Sequence, residues 1–346
     1  MTKNSVSVHP VQKLLDDALS QKEIKDKIAD FQQKTSGCDK WMMFSDYCLD
    51  DKSKANDVMT FVLMPYLSEE KYLEMQEKIH SLQKVDIKNT SFVNKAFLSY
   101  LKSESVLIFS FVLTDRKRLF ASGHTQCVQI VKNTLTRIRD CFENWKKTAV
   151  NHTILKYYDE AAKNVNKSLA KLNGKNPNIK MLNDILITAL LGAYVSAKVL
   201  ENLPIQVFGW FSDRDKVISG NDNIIMPIFT YFQFHFLGCR QFKPCASTPD
   251  DKIKPFFDDF NRIADVVTGA ISDYNMEKDS ITADKFNTVL ENFLANNSQV
   301  SIFRLWQQDS TNHLETIKLY RKSWIARQWL RLSSKIRHLI SKLKKK

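Results

Sequence analysis

Two short apolar runs in this chain end in the same tripeptide, Phe-Ser-Asp, at 44–46 and again at 211–213. An apolar run of this length bounded by polar residues reads as a strand, and its terminal side chain falls at the edge of a sheet. The sequence around them has the form of an α/β protein. A polar turn from Asp50 to Asp57 links the first run, Trp41 to Phe44, to Val58–Met64, which Pro65 stops. The pair reads as a β-hairpin. Ser105 to Leu113 is a third strand, wholly apolar apart from its serines and so central, and Ile205 to Phe211 is a fourth.

Between and beyond these strands the spacing is helical. It predicts helices over 9–35, 68–82, 123–148, 153–172, 179–202, 252–275, 282–296 and about 311–345, while 222–238 fits helix or strand. The longest apolar run, Ile185 to Ala197, is short of the roughly 20 residues of a membrane span and reads as a buried helix. The expected organisation is an N-terminal helical segment (1–37), an α/β core (38–276) with a helical insertion at about 123–202, and a helical extension (277–346).

Glycine and proline are scarce. Eight of each occur among 346 residues, against about 12% for the pair in an average protein. No G-x-G-x-x-G, Walker-type or G-x-S-x-G loop is present, which disfavours nucleotide-driven motors, dinucleotide oxidoreductases and α/β-hydrolases. Six scattered cysteines form no C-x-x-C pair, and the N-terminus has no apolar leader. The expectation is a reduced, cytoplasmic protein.

The chemistry lies with the acids. If the two Phe-Ser-Asp strands are neighbours, Asp46 and Asp213 lie side by side, which is costly unless a cation sits between them. Hard divalent ions, Mg²⁺ or Mn²⁺, choose such ligands, and a pair of them can clamp both oxygens of an in-line phosphoryl displacement. The plainer alternative is two solvated turn aspartates. A third acid, Asp265, lies in the otherwise apolar stretch Ile263-Ala264-Asp265-Val266-Val267-Thr268-Gly269-Ala270, where small neighbours let a helix approach a sheet. A salt bridge or an exposed face would also accommodate it.

Together these residues resemble a microbial family of RNase H-like domains found in mobile elements and phage-defence loci. Its members open with D-E-[SA]-G on the first strand and close with an A-D-[LV] helix. The resemblance covers about residues 40–275 and is strongest at 263–270. It implies an RNase H-like mixed sheet with helical insertions, metal-binding Asp46, Asp213 and Asp265, and a divalent-metal-dependent nuclease acting in antiviral defence. Tyr47-Cys48-Leu49 replaces the family's Glu and Gly. Asp50, Asp51 and Asp215 are then candidates for the missing carboxylate, and a catalytically inactive scaffold is the alternative.

Arg214 and Lys216 alternate with Asp213 and Asp215, so they either hold a substrate phosphate or form a self-paired turn. His235, Cys239 and Cys245 match no standard zinc spacing. The net charge of +13 is concentrated at the end. Residues 311–346 carry 11 Lys/Arg and one Glu, and the other 310 carry 40 basic and 37 acidic residues. Ile325, Trp329, Leu332, Ile336, Leu339 and Leu343 recur at helical spacing opposite Arg327, Arg331, Lys335 and Lys342. This pattern fits a basic amphipathic helix that docks on its own core or binds RNA, DNA, an anionic membrane or a protein partner.

Overall fold

The computed structural model describes residues 10–321 apart from 117–118, 120–122, 175–176, 214, 221–222, 239–242 and 248–255. At its centre is a mixed sheet of seven strands, β1 (Lys40–Cys48), β2 (Asp57–Pro65), β3 (Leu107–Leu113), β4 (Val207–Ser212), β5 (Lys243–Ser247), β6 (Val300–Gln308) and β7 (Thr311–Ile317), in the order β5-β4-β1-β2-β3-β6-β7. β2 runs antiparallel to β1 and to β3; β4 and β5 lie parallel to β1 on one side, and β6 lies parallel to β3 on the other. The two Phe-Ser-Asp strands are therefore neighbours.

Helices cover both faces, as a sheet with nearly continuous apolar strands requires. Odd-numbered residues of β1, such as Trp41 and Met43, face α1 (Pro10–Leu19), α2 (Lys22–Lys34), α5 (His124–Lys146), α6 (His152–Leu172) and α7 (Ile179–Leu200). Even-numbered residues, Met42 and Phe44, face α3 (Glu69–Leu82), α4 (Lys95–Ser103) and, after α8 (Lys216–Ser219) and α9 (Ile225–Phe236), α10 (Asp258–Asp273) and α11 (Asp284–Val289). Phe44 stacks on Phe211 at 5.6 Å and on Phe260 of α10 at 5.2 Å. That stack seats the first turn of α10 on β1, and the helix then lies over β1 and β2.

Several elements differ from the sequence expectation. The helix expected over 9–35 is two helices, because a continuous one would have brought the exposed Lys22 and Asp26 onto the face of Val11, Leu15 and Ala18. The ambiguous stretch 222–238 forms α9. The elements absent from that expectation include α4, α8, β5 and β6; β5 carries Pro244, which an edge strand tolerates.

The largest correction is at the C-terminal end. Residues 311–317 are strand, not helix, and β6 and β7 extend the same sheet rather than a separate helical extension. Asp309 and Ser310 both adopt positive φ, at 47° and 62°, which suits a tight two-residue hairpin. The apolar and basic stripes from Ile325 onward lie outside the described residues.

The apolar helix α7 is long and apolar enough to cross a membrane, yet 89% of its most apolar window is buried inside the fold, against β2, α5 and α9. Its close seat depends on Gly192. A Cβ there would meet Phe61 Cε1 at 2.9 Å and Met43 Cε at 3.4 Å, both in the core. Gly192→Val is therefore expected to lose about 1–3 kcal/mol in urea unfolding through overpacking. An unchanged midpoint would contradict this tight contact.

Candidate functional site

The register brings the strand-end acids together. Ser45 of β1 pairs with Ser212 of the parallel β4, so the next residues, Asp46 and Asp213, stand side by side where β4 ends, while β1 runs on past the expected end at Asp46 to Cys48, still paired with β2. Side chains alternate along a strand. Asp46 thus shares the face of Met42 and Phe44, and Asp213 that of Phe211, which is the face α10 covers. Carboxyl ends of parallel strands are where ligands collect in α/β sheets.

α10 supplies the third acid. Ile263, Val266, Val267 and Ala270 are fully buried against the sheet, as their spacing predicts, and Asp265 is 9% exposed between them. Its Oδ2 accepts a hydrogen bond from the Ile87 backbone N–H at 3.1 Å. Asp213 Oδ1 accepts one from Asn261 Nδ2, also on α10, at 2.7 Å. Thr268 Oγ1 donates to the Asp46 carbonyl at 3.4 Å. Asp46 also begins a polar row across the sheet on this face, opposite Thr60, which in turn lies opposite Ser110 with the two hydroxyls 3.0 Å apart.

Burial, reinforced by neighbouring carboxylates, raises all three carboxyls above the ordinary carboxylate range. For Asp46 the causes are burial and then the charge of Asp213. For Asp265 they are burial and then the charge of Asp46, eased by the Ile87 N–H. Burial dominates at Asp213, and the Asn261 hydrogen bond opposes it. Asp46 is thus the member that the other two share.

One residue of this site carried no signal in the sequence. Lys88 is exposed on a 3-10 turn, Ile87–Asn89, next in the chain to the N–H that holds Asp265. Burial pulls its ammonium down, and the charges of Asp46, Asp265 and Asp213 outweigh that and raise it. It sits in a polar loop among other lysines, and only the folded chain relates it to the acids.

The oxygen-only donor set suits Mg²⁺ or Mn²⁺. Among the described residues, however, no group of three or more His, Cys, Asp or Glu side chains stands in position to hold one ion. The acids share a corner of the sheet face without closing on a single point.

The other candidates lie elsewhere. Asp215 accepts from the Val217 N–H at 2.6 Å and caps α8, whose first residue is the exposed Lys216. Arg214 lies outside the described residues. Asp51 binds the backbone and hydroxyl of Ser53 in the exposed hairpin turn. Asp50 pairs with Lys180 and, at 2.8 Å, with the buried Arg116. Arg116 also holds Asp57 at 3.1 Å and Asp184 at 2.7 Å. This second acidic cluster joins the β1–β2 turn to α7 and was not read from the sequence. His235 is half-buried on α9, which lowers its pKa; Cys239 and the Cys245 side chain lie outside the described residues.

Comparisons of the chain with protein-family models, with curated proteins and with solved structures give no match, so the functional argument rests on this geometry.

Proposed function

We propose that this protein is an RNase H-like, divalent-metal-dependent nuclease whose metal ligands are Asp46, Asp213 and Asp265. One observation carries the reading: two acids distant in sequence stand side by side on adjacent parallel strands, and α10 brings a third to the same face of the sheet. Repulsion among half-buried carboxylates is relieved by a proton or a cation, and a site that keeps three such groups is built to take one. A bound Mg²⁺ or Mn²⁺ supplies Lewis-acid activation of a phosphodiester and of the attacking water. The chain's own part is to hold the carboxylates. Asn261 orients Asp213, the Ile87 N–H orients Asp265, and the Phe44–Phe211–Phe260 stack keeps α10 over the strand ends.

RNA or DNA is the substrate class, supported by the excess of ten positive charges in residues 311–346. The mixed sheet and the adjacency of the two Asp-ended strands support the RNase H-like part of the reading. A role in defence against foreign genetic elements follows only from the family resemblance.

A second reading, an inactive RNase H-like scaffold that binds nucleic acid, an anionic membrane or a protein partner, is favoured by Tyr47-Cys48-Leu49 after the first acid and by the open spacing of the three ligands. Cleavage assays with RNA and DNA, single- and double-stranded, separate the two. The nuclease reading expects Mn²⁺-dependent cleavage that Asp213→Asn reduces at least about a hundredfold, with an unchanged circular dichroism spectrum. Equal cleavage by the variant moves the activity to another site or a contaminant. No cleavage and no Mn²⁺ uptake by the wild type selects the scaffold.

A further inference from the structure

On the sheet face that carries the acids, but towards the other end of β1, a cavity of about 130 Å³ opens between β2, α3 and α4. Met42 in its lining precedes Asp46 by four residues, or about 13 Å of strand. Buried Met64, Met75 and Phe260 form its floor. Its walls are three half-buried tyrosines on separate elements: Tyr66 directly after β2, Tyr72 on α3 and Tyr100 on α4.

Two of these rings are fixed from outside the cavity. The Tyr66 N–H donates to the Lys40 carbonyl at 2.8 Å and prolongs the β1–β2 ladder. The Tyr72 hydroxyl donates to the Phe256 carbonyl at 2.9 Å, and its ring packs on Phe260 at 4.7 Å and on Tyr66 at 5.7 Å. Tyr100 stacks on neither Tyr66 nor Tyr72, so space is left between the rings. The charges in the lining are unbalanced. Lys71 is taken by Glu74 at 2.5 Å. Glu104, the C-terminal cap of α4, has no ion-pair partner among the described residues and stands at the negative end of that helix's dipole.

Tyrosine rings and an unpaired carboxylate together attract a cation, because the ring face is the negative side of the aromatic quadrupole. A neutral guest would gain nothing from Glu104. A bare ammonium keeps its water tightly, whereas a methylated one has an apolar shell that suits the methionine and phenylalanine floor. The volume is close to the roughly 150 Å³ that holds a benzene-sized guest, room for one such headgroup.

We infer that this cavity binds a methylated ammonium group, through cation–π contact with Tyr66, Tyr72 and Tyr100 and the charge of Glu104. None of the three site acids takes part, so this reading and the nuclease reading fail independently.

Titration of the full chain with choline, followed by calorimetry, tests it. Choline is expected to bind with a dissociation constant of about 1 mM or below. The neutral alcohol with carbon in place of the ammonium nitrogen is expected to bind at least about tenfold more weakly. Equal binding of the two makes the cavity a plain apolar crevice, and no choline binding removes the site; either overturns the proposal. Tyr100→Phe keeps a ring and should keep the affinity, while Tyr100→Leu should lose about tenfold. Glu104→Gln, a surface change that spares the packing, should lose several-fold and covers the case in which Tyr100→Leu misfolds. Wild-type affinity in folded Tyr100→Leu or in Glu104→Gln overturns the assignment. A trimethyllysine peptide separates the sources of the ligand: tighter binding than choline assigns a methylated protein side chain, and weaker binding a free solute.

Discussion

Asp46→Asn is expected to stabilise the protein while removing the Mn²⁺-dependent cleavage proposed for it. In EDTA at pH 8 the variant should gain about 1–2 kcal/mol, or roughly 2–4 °C in melting temperature per kcal/mol for a chain of this size. Asp46 is the carboxylate shared by two repelling neighbours, so neutralising it removes both repulsions at once. The sign of the pH dependence follows. A carboxyl raised in the folded state keeps its proton above the ordinary value near 3.8, where the unfolded chain has lost it. The folded state then binds more protons, and this contribution is fully present below that value and is lost as pH rises through the elevated ones. The wild type should therefore gain stability from this site as pH falls from neutral towards 4, and Asp46→Asn should show a flatter profile. Mn²⁺ should reverse the ranking by binding only the wild type. A variant that melts below the wild type in EDTA would falsify the repulsive reading of the site.

The second large effect lies at the other acidic cluster. Arg116→Met is expected to destabilise the fold by about 3–5 kcal/mol at pH 7.5, because it leaves the buried Asp184 carboxylate without its partner. Burial already pushes Asp184 up to about 6, and the Arg116 charge opposes that rise. Without the arginine the carboxyl rises further and is protonated at mildly acidic pH. The deficit of the variant should then shrink at pH 5, since a neutral carboxyl needs no cation. Calorimetric melts at the two pH values check this. The same deficit at both would mean that the loss comes from packing of the arginine stem, not from the stranded charge.

Much of the strand core was legible in the sequence, for a physical reason. Strands buried on both faces are apolar without interruption, so β1, β2, β3 and β4 stand out between polar turns. The amphipathic helices α3, α5, α6 and α10 were equally plain from their spacing. Of the elements that failed to show, β6 is apolar enough to have been read, whereas two others were marginal locally. β5 contains a proline, and β7 is an edge strand of mixed polarity held by its pairing to β6. Such segments take their conformation from a neighbour, and pairing partners far apart in sequence leave no periodicity to read.

The site divides along the same line. By itself the sequence determined which acids follow apolar strand segments, Asp46 and Asp213, and which acid interrupts an apolar helix, Asp265, because placing a charge beside a core leaves a visible break in hydropathy; it did not show that β1 continues past Asp46 to Cys48. Only the tertiary structure decided that β1 and β4 are adjacent and parallel, and that α10 lies on the same face. It alone fastened the loop of Lys88 to α10 and α11, through backbone groups whose bonds are indifferent to side-chain identity. It also gave Asp50 to Arg116 and Lys180 and Asp215 to the start of α8. Hydropathy records burial one residue at a time, whereas which charges meet is fixed by strand order and helix placement, which long-range packing sets.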